Sequence, residues 1–447
     1  NSTKIRFLLS EILLNKKKIL WLGLAILLLP LLGKSQVQLE EYTLGDGLRF
    51  TGKNDYNIVL TGFAQPYFES KLFTDTAINS SFNRFRVRRL RIRLTGDAAQ
   101  QKITWRLQFD LSGNDEDGDA AQSALMDAWI GYEPIKNFRI RIGQKNTPTD
   151  NRELLTRSHT LQLVERSRVT SAFGTIREFG VFVDGSMKTK NGRYIRPSLA
   201  ITNGDGLNVF AADFGGLKYG GRIDFLPFGT FSNLGQYQQA DLMRELTPKL
   251  VVGGAYSINK GVSSRRGRAS GTILYLDSNG DYLLPDFSKL CIDFMFKWKG
   301  FSALGEFVST TAQVPAEITQ RVRIDGTTSD VFDVSGVQDV ENYIKGRMML
   351  GKGYNFQMGY IFKNRISVDG QYTFIDADEY SFLNNGTFYN RPYYYTLGLS
   401  KYFTKMYGFK VQTSATFVDA AAGSNDLSGN PMNGDEWIFR VITSIAF

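Results

Sequence analysis

The chain has 447 residues and a formal net charge of +9, from 53 basic and 44 acidic side chains. A single cysteine, Cys291, excludes an intrachain disulfide framework and a cysteine zinc cage, and a single histidine, His159, excludes a histidine-pair metal site. The mean hydropathy of −0.22 excludes a polytopic helical membrane protein. Abundant Phe, Tyr and Gly with only 11 Pro favour strands. The length suits two or three globular domains or one large barrel.

Residues 1–35 have the pattern of a secretory signal peptide. Three lysines at 16–18 precede an apolar run at 19–32, and the small residues at 33 and 35 form a cleavage site. The run has 14 residues, fewer than the roughly 20 of a spanning helix, although a retained anchor is the alternative. Cleavage after residue 35 would remove six cations and one anion and lower the net charge to +4. Residues 36–57 are then expected to form a periplasmic N-terminal segment.

From residue 58 onward, apolar and polar side chains alternate. In the segment 102–112 the odd positions carry Ile, Trp, Leu, Phe and Leu, and the even positions carry Lys, Thr, Arg, Gln, Asp and Ser. This period of two predicts tilted strands that cross a bilayer with an apolar outer face. We predict an all-β fold, an antiparallel transmembrane β-barrel over residues 58–447. Its sixteen segments begin near residues 58, 82, 102, 124, 138, 177, 193, 217, 249, 288, 301, 354, 365, 392, 408 and 435.

The connections between these segments alternate in length. Long outer loops and short periplasmic turns are typical of outer-membrane barrels. The connection 228–248 breaks this rule and is expected to contain a short strand or helix, and a further strand at 343–351 would raise the strand count to 18. The long connections are 69–81, 113–123, 147–176, 204–216, 259–287, 311–353, 377–391 and 419–434, and most of the others have one to five residues.

A soluble protein of two packed β-sheets is the alternative, because its strands also alternate. The signal peptide and the regular difference in loop length favour the membrane. The last residue is the aromatic Phe447, after an alternating strand, which is typical of outer-membrane barrels. We therefore expect the protein in the bacterial outer membrane.

The segment 82–96, FNRFRVRRLRIRLTG, contains six arginines. Strict alternation would place the first three on one face and the last three on the other. An arginine that faces lipid at the midplane costs about 2–4 kcal/mol, so we predict a one-residue bulge at Arg88 and Arg89 that brings all six to one face. The predicted pore-lining arginines of this strand are Arg84, Arg86, Arg88, Arg89, Arg91 and Arg93.

Inward arginines present permanently charged forks that match phosphate and carboxylate groups. A row of sites of moderate strength lets an anion enter and leave, which conduction requires. The alternative is that these cations pair with lumenal acids such as Asp110, Asp127 and Asp184 and only brace the wall. We favour anion guidance because the arginine strand contains no acid. Neighbouring strands are expected to add Arg106, Arg139, Arg141 and Lys145 to the pore lining.

The long connection 147–176 is expected to fold inward and narrow the pore, because connections of this length are usually functional or disordered. His159 in this loop is expected to form hydrogen bonds rather than to catalyse a reaction. The predicted constriction residues of the loop are Arg152, Arg157, Arg166 and Arg168.

Five segments of the sequence resemble the phosphate-selective porin O and P family. The resemblance is strongest between about residues 58 and 205. It implies a trimeric, 16-stranded porin with a cation-lined lumen that passes phosphate or related anions, and with the arginine strand and the third outer loop on the anion path. The segments are FRVRRLRIRLTG (85–96), LMDAWIGYEPIKNFRIRIGQKNTP (125–148), VERSRVTSAF (164–173), REFGVFVDG (177–185) and WIFRVITSIAF (437–447).

Other chemistries have less support. The acidic segments 114–119 and 277–281 lack the twelfth-position glutamate of a calcium-binding loop, so we expect no metal and no cofactor. The export signal argues against a nucleic-acid partner, and one loop histidine does not make an enzyme.

We therefore predict a passive outer-membrane diffusion channel for small anions, with phosphate or polyphosphate as candidates. Its partners would be outer-membrane lipid, lipopolysaccharide and, in a homotrimer, two further copies of the chain. The alternative is an outer-membrane receptor, adhesin or structural barrel without anion selectivity, because the loops 259–287 and 311–353 are large.

Overall fold

The computed structural model describes residues 38–39, 42–52, 56–75, 82–113, 124–208, 214–268, 273–385, 391–426 and 429–447, so the predicted signal peptide lies outside the described residues. Sixteen long strands form an antiparallel barrel. They are β1 Asn57–Phe73, β2 Phe82–Ala98, β3 Ile103–Asp110, β4 Leu125–Ile135, β5 Phe138–Asn146, β6 Arg177–Gly185, β7 Tyr194–Thr202, β8 Lys218–Leu226, β9 Lys249–Asn259, β10 Asp286–Trp298, β11 Phe301–Gln313, β12 Gly351–Ile361, β13 Ile366–Ala377, β14 Tyr393–Tyr402, β15 Phe409–Asp419 and β16 Glu436–Ala446. The helices in the connections are α1 Arg152–Leu155, α2 Arg168–Phe173 and α3 Val340–Lys345.

The last strand closes the barrel against the first. Glu436 of β16 lies opposite Phe73 of β1, and Ala446 lies opposite Phe63. The C-terminal Phe447 exchanges two backbone hydrogen bonds of 2.8 Å with Gly62. Closure pairs both edges of the sheet, and the predicted barrel of 16 strands is confirmed.

The alternative count of 18 strands is wrong. Helix α3 occupies the start of the segment 343–351, and β12 begins only at Gly351. Asp339 caps this helix by accepting the N–H of Asn342 at 3.0 Å. Two short strands before β1, Gln38–Leu39 and Leu48–Thr51, pair with each other, and the second of them also pairs with β1. In the described parts of the chain, no helix is long and apolar enough to span a membrane.

The barrel is apolar outside and polar inside. In β12, Tyr354, Phe356 and Met358 are exposed, whereas Asn355 and Gln357 between them are buried. The same alternation leaves a band of exposed apolar side chains around the barrel and fills its interior with polar and charged ones. A soluble protein of two sheets would show the reverse polarity, so the exposed band is the lipid-facing surface.

The long periplasmic connection 228–248 folds into the lumen. It contains a 3₁₀ turn, Ser232–Tyr237, and no barrel strand. The N–H of Gln239 donates to the carbonyl of Thr160 at 3.3 Å, and the side-chain oxygen of Gln239 accepts the N–H of Gln162 at 2.9 Å. This long periplasmic connection therefore contacts the loop 147–176 inside the barrel.

The two largest outer connections, 259–287 and 311–353, pack together as a folded unit, here named the outer cap. Its core contains the buried side chains of Phe332 and Ile344. Its short strands are Tyr275–Leu276, which pairs with Gln320–Val322, then Thr328–Ser329, which also pairs with Gln320–Val322, and a hairpin of Asp333–Val334 with Val337–Gln338.

Candidate functional site

The arginine strand β2 contains the predicted bulge. Gln65 of β1 lies opposite Arg89, but the next residue, Pro66, lies opposite Val87, so Arg88 is the extra residue. Proline has no N–H to contribute to the ladder, which favours a break in the pairing at this point. The prediction of a bulge at Arg88 and Arg89 is confirmed.

The bulge brings the arginines to the lumenal face. Arg84 lies opposite Glu69, whose side chain lines the lumen. Arg88 and Arg89, on the two sides of the break, are both buried in the interior, whereas Val87 is exposed on the lipid side. The strand therefore carries cations along the inside of the barrel without placing guanidinium groups in lipid.

The loop 147–176 crosses the barrel interior and is anchored to different walls. Arg152, which is fully buried, donates to Asp224 of β8 at 2.7 Å and to Asp293 of β10 at 2.9 Å. Elsewhere on the wall, Lys410 of β15 donates to the carbonyl of Leu161 at 2.6 Å. These contacts fix both halves of the loop across the lumen.

A buried carboxylate closes the base of this loop. Asp150 forms an ion pair with Lys289 of β10, and its second oxygen accepts the N–H of Ile176 at 2.6 Å, which joins the two ends of the loop. Burial favours the neutral acid, but the charges of Lys289 and Lys218 outweigh it and lower the pKa of Asp150. The base of the loop is thus held by a charged pair.

Glu165 connects the loop to the middle of the arginine strand. Its carboxylate accepts from Arg88 Nε at 2.5 Å and from Arg89 Nη2 at 2.9 Å. Burial opposes ionisation, but the two guanidinium groups outweigh it and lower the pKa of Glu165 to about 2. One step further along β2, Arg91 pairs with Asp110 at 2.7 Å. We name the contact of Glu165 with Arg88 and Arg89 the arginine clamp.

An outer cavity of about 370 Å³ lies on the outer side of the arginine clamp. Two of its carboxylates are paired with cations: Glu69 with Arg440 at 2.7 Å, and Glu436 with Arg391 at 3.1 Å. Cations exceed carboxylates by four among the described residues of its lining. The cations are Lys71, Arg86, Arg88, Arg166, Arg168, Arg391 and Arg440, and the carboxylates are Glu69, Glu165 and Glu436.

A periplasmic cavity of about 310 Å³ lies on the other side of the arginine clamp. His159 lines it, with its ring 5.0 Å from the ring of Phe63. Burial, together with the nearby charge of Arg157, lowers the pKa of His159 well below its usual value, so the imidazole is neutral. The described cationic side chains of the lining are Arg49, Arg91, Arg93, Arg106, Arg157 and Lys405, and the described acidic side chain is Asp46.

The predicted site residues fall into two groups. One group lines a cavity, and the other lies in the wall or in the loop anchor. Arg86, Arg88, Arg166 and Arg168 line the outer cavity, and Arg91, Arg93, Arg106 and Arg157 line the periplasmic cavity. Arg84 is exposed near the outer end, Arg89 is buried at the clamp, Arg152 anchors the loop, Arg139 pairs with Glu133, Arg141 pairs with Asp184, and Lys145 donates to the carbonyl of Asn146.

Wall bracing, the alternative role for these cations, applies to four of them. Arg91 pairs with Asp110, Arg139 pairs with Glu133, Arg141 pairs with Asp184, and Arg106 approaches Asp127 at 3.7 Å. Arg91 and Arg106 nevertheless line the periplasmic cavity. Bracing and lining are therefore compatible for the same side chain.

Sequence reasoning missed a second set of charged lumenal residues. A signal was present for Glu69 and Lys71, which occupy alternate positions of β1 and so share its inner face. Arg391 lies at the end of an outer loop, where no periodic pattern pointed to it. The missed residues are Glu69, Lys71, Arg391, Glu436 and Arg440, together with the role of Glu165 in the clamp.

No group of three His, Cys, Asp or Glu residues lies close enough to hold a metal ion in the ranges that the structure describes. The acidic segment 277–281 is a turn, in which Asp277 accepts the N–H of Asn279 at 2.8 Å and that of Asp281 at 3.0 Å. The other acidic segment, 114–119, lies outside the described residues.

Comparison with known proteins agrees with the architecture. The family model described as phosphate-selective porin O and P matches residues 71–195, which include the arginine strand and the loop 147–176, and so confirms the resemblance over that segment. OmpF of Salmonella typhi, in a complex with daunomycin, has a TM-score of 0.50 at 14% identity, over 91% of this chain and 100% of that chain. An anion-selective porin from Comamonas acidovorans has a TM-score of 0.49 at 12% identity, over 88% and 100% of the two chains. No curated protein matches the sequence. The likeness to OmpF shows the porin fold.

Proposed function

We propose that this outer-membrane porin is a passive diffusion channel with a preference for small anions. The chain matches the phosphate-selective porin O and P family over residues 71–195, and it is a porin rather than an enzyme. Anions would pass from the outer cavity to the periplasmic cavity along β2. The observation that supports this route is the excess of cationic over acidic side chains in both cavities, four in the outer and five in the periplasmic one among the described residues.

The physical basis of the preference for anions is the electrostatic field in a narrow lumen with low-dielectric walls. Clefts lined by one sign of charge concentrate counter-ions, and guanidinium groups keep their charge at any physiological pH. The carboxylates that pair with part of the arginines, such as Glu69 with Arg440, keep the sites from binding an anion too tightly. A series of sites of moderate strength is what conduction requires.

The more specific part of the proposal is that phosphate is the preferred anion. Two or more guanidinium forks converging on one space suit a tetrahedral oxyanion better than a spherical halide, because each fork donates two parallel hydrogen bonds. Arg166 and Arg168 of the loop face the same outer cavity as Arg86 of the wall. The family match supports phosphate or related anions as the substrates.

Two variants test the route, each with a substitution of an arginine that lines a different cavity. Arg86→Gln changes the outer cavity, and Arg93→Gln changes the periplasmic cavity. Loss of one unit charge at about 8 Å in water-like surroundings costs a permeating anion about 0.5 kcal/mol, so each variant should lower the anion-to-cation permeability ratio by about twofold. The ratio is measured from the zero-current potential of channels in a planar bilayer under a salt gradient.

The matched control is Arg193→Gln, because Arg193 is an exposed arginine in a turn that lines neither cavity. We expect a wild-type permeability ratio for this variant. Unchanged ratios in both lumenal variants would contradict the proposed route and favour arginines that only brace the wall.

A homotrimer is a separate proposal, which the family resemblance supports. Homo-oligomers of this kind have closed rotational symmetry. Light scattering of the detergent-solubilised full chain, corrected for detergent mass, should give three copies per particle. A monomeric particle with normal conductance would contradict the trimer and leave the channel proposal intact.

A further inference from the structure

A third cavity with a positive lining lies outside the lumen, in the outer cap. It has a volume of about 500 Å³. Its walls are formed by the short strand that begins at Tyr275, by its partner strand Gln320–Val322 and by helix α3. Apolar side chains, among them Leu274 and the fully exposed Ile324, line the same space. The cavity is thus built from ordered elements on the outer side of the barrel.

Three arginines converge on this cavity: Arg321, Arg323 and Arg347. Arg321 and Arg347 each lie 5.1 Å from the centre of the Tyr343 ring, and Arg347 also donates to the Tyr343 hydroxyl at 2.8 Å. These contacts hold two of the three guanidinium groups in fixed positions. A fixed fork loses little freedom when it binds an oxyanion.

Among the described residues, no carboxylate forms an ion pair with Arg321 or Arg347, whereas the charge of Arg323 acts on Asp325. The lining has a single acid, Asp325, and its carboxylate accepts the N–H of Thr327 at 3.0 Å and the hydroxyl at 2.7 Å. Residues 269–272, which follow the described part of the same loop, contain no ionisable side chain. The cavity therefore carries a net positive charge.

Tyr275 supplies a second, independent observation. It lines the cavity and is only 2% exposed, and its hydroxyl has no hydrogen-bond partner among the described residues. A buried hydroxyl without a partner carries a cost that a bound acceptor removes. Burial raises the pKa of Tyr275, so the phenol keeps its proton and acts as a donor.

We propose that the outer cap binds a small phosphate ester in this cavity, with Arg321 and Arg347 on the phosphate oxygens and the Tyr275 hydroxyl as a further donor. The volume lies in the range of about 300–1,000 Å³ that holds small organic ligands, which is more than a bare phosphate fills. The apolar side chains would contact the organic part of the ester. The site is separate from the lumen, so the outcome of its test does not depend on the channel proposal.

Calorimetric titration of the full chain in detergent with glucose 6-phosphate tests the site. The double variant Arg321→Gln with Arg347→Gln should weaken binding by about tenfold or more, because it removes charge-assisted hydrogen bonds. Tyr275→Phe, which removes only the hydroxyl, should weaken it by about threefold or more. Wild-type affinity in both variants would overturn the proposal.

Two controls separate this site from others. Lys345→Gln removes a cation from α3 that does not line the cavity, and it should bind glucose 6-phosphate as the wild type does. Arg86→Gln alters the lumen and reports any binding of the ester there. If Arg86→Gln abolishes binding and the cap variants do not, the observed binding belongs to the lumen and the cap site is refuted. Glucose without phosphate should not bind, and equal binding of glucose would also overturn the proposal.

The phosphate can come from a soluble ester or from the phosphorylated sugars of lipopolysaccharide. Competition between glucose 6-phosphate and purified lipopolysaccharide distinguishes them. Competition that is lost with dephosphorylated lipopolysaccharide identifies the lipid as the source. Absence of competition identifies the soluble ester, and either result supports the site.

Discussion

Glu165→Gln is the most informative single change, because Glu165 is the acid of the arginine clamp between the two cavities. It neutralises part of the charge of Arg88 and Arg89, at 2.5 and 2.9 Å. Glutamine keeps the shape and one acceptor oxygen but removes the negative charge. An anion that passes the clamp would then meet two guanidinium groups without their carboxylate, so we expect the anion preference to rise.

The size of the effect follows from the distance between the carboxylate and a passing anion. At roughly 8 Å, the repulsion that is removed is about 0.5 kcal/mol in water-like surroundings and about 2 kcal/mol at an effective dielectric of about 20. These energies correspond to a rise of about twofold to thirtyfold in the anion-to-cation permeability ratio. Salt screens the interaction, so the lower end applies near physiological ionic strength.

The assay is the zero-current potential of single channels in a planar bilayer, with single-channel conductance as the check that the barrel is intact. The pKa of Glu165 is lowered to about 2, so the carboxylate stays charged from about pH 5 to pH 8, and the difference from wild type should be the same across that range. Glu341→Gln removes a carboxylate from α3 in the outer cap and should have no effect. An unchanged or lower anion preference in Glu165→Gln at normal conductance would refute the reasoning.

Two further predictions concern the loop 147–176. Arg152→Gln leaves the buried carboxylates of Asp224 and Asp293 with Arg222 as the one described cation that they still share. One buried negative charge is then uncompensated, so the variant should destabilise the barrel by about 3–5 kcal/mol, seen as a lower temperature for the gel shift on heating. Arg139→Gln, whose partner Glu133 is partly exposed, should cost less than about 1 kcal/mol, and equal shifts would contradict the anchor. The neutral His159 predicts no change in selectivity between about pH 5 and pH 8, so a transition near pH 6.5 that disappears in His159→Gln would show this account of the histidine to be wrong.

The barrel and its arginine strand follow from local patterns. Period-two alternation gives the position of each strand because lipid and lumen select opposite side chains at successive positions. The bulge at Arg88 follows from the cost of arginine in lipid. The start of α3 also has a local signal in the sequence, because Asp339 is a favoured N-cap residue. A strand at 343–351 is the competing interpretation of the same part of the chain.

The arginine clamp could not be predicted in the same way. Arg88 and Glu165 are 77 positions apart, and no local period relates a loop residue to a wall residue. The inward course of 228–248 has the same origin, because Gln239 contacts Thr160 and Gln162 only once the barrel has closed around both segments. Contacts between distant segments of the chain position the residues of the site, whereas strand periodicity determines the barrel that carries them.

The zero-current potential of the wild-type channel tests the central claim most directly. The protein is placed in a planar bilayer between a concentrated and a dilute potassium chloride solution, and the measurement is repeated with potassium phosphate. Anion preference predicts that the dilute side becomes negative in both salts. A dilute side that becomes positive, or a protein that forms no channel, would contradict an anion path along the arginine strand.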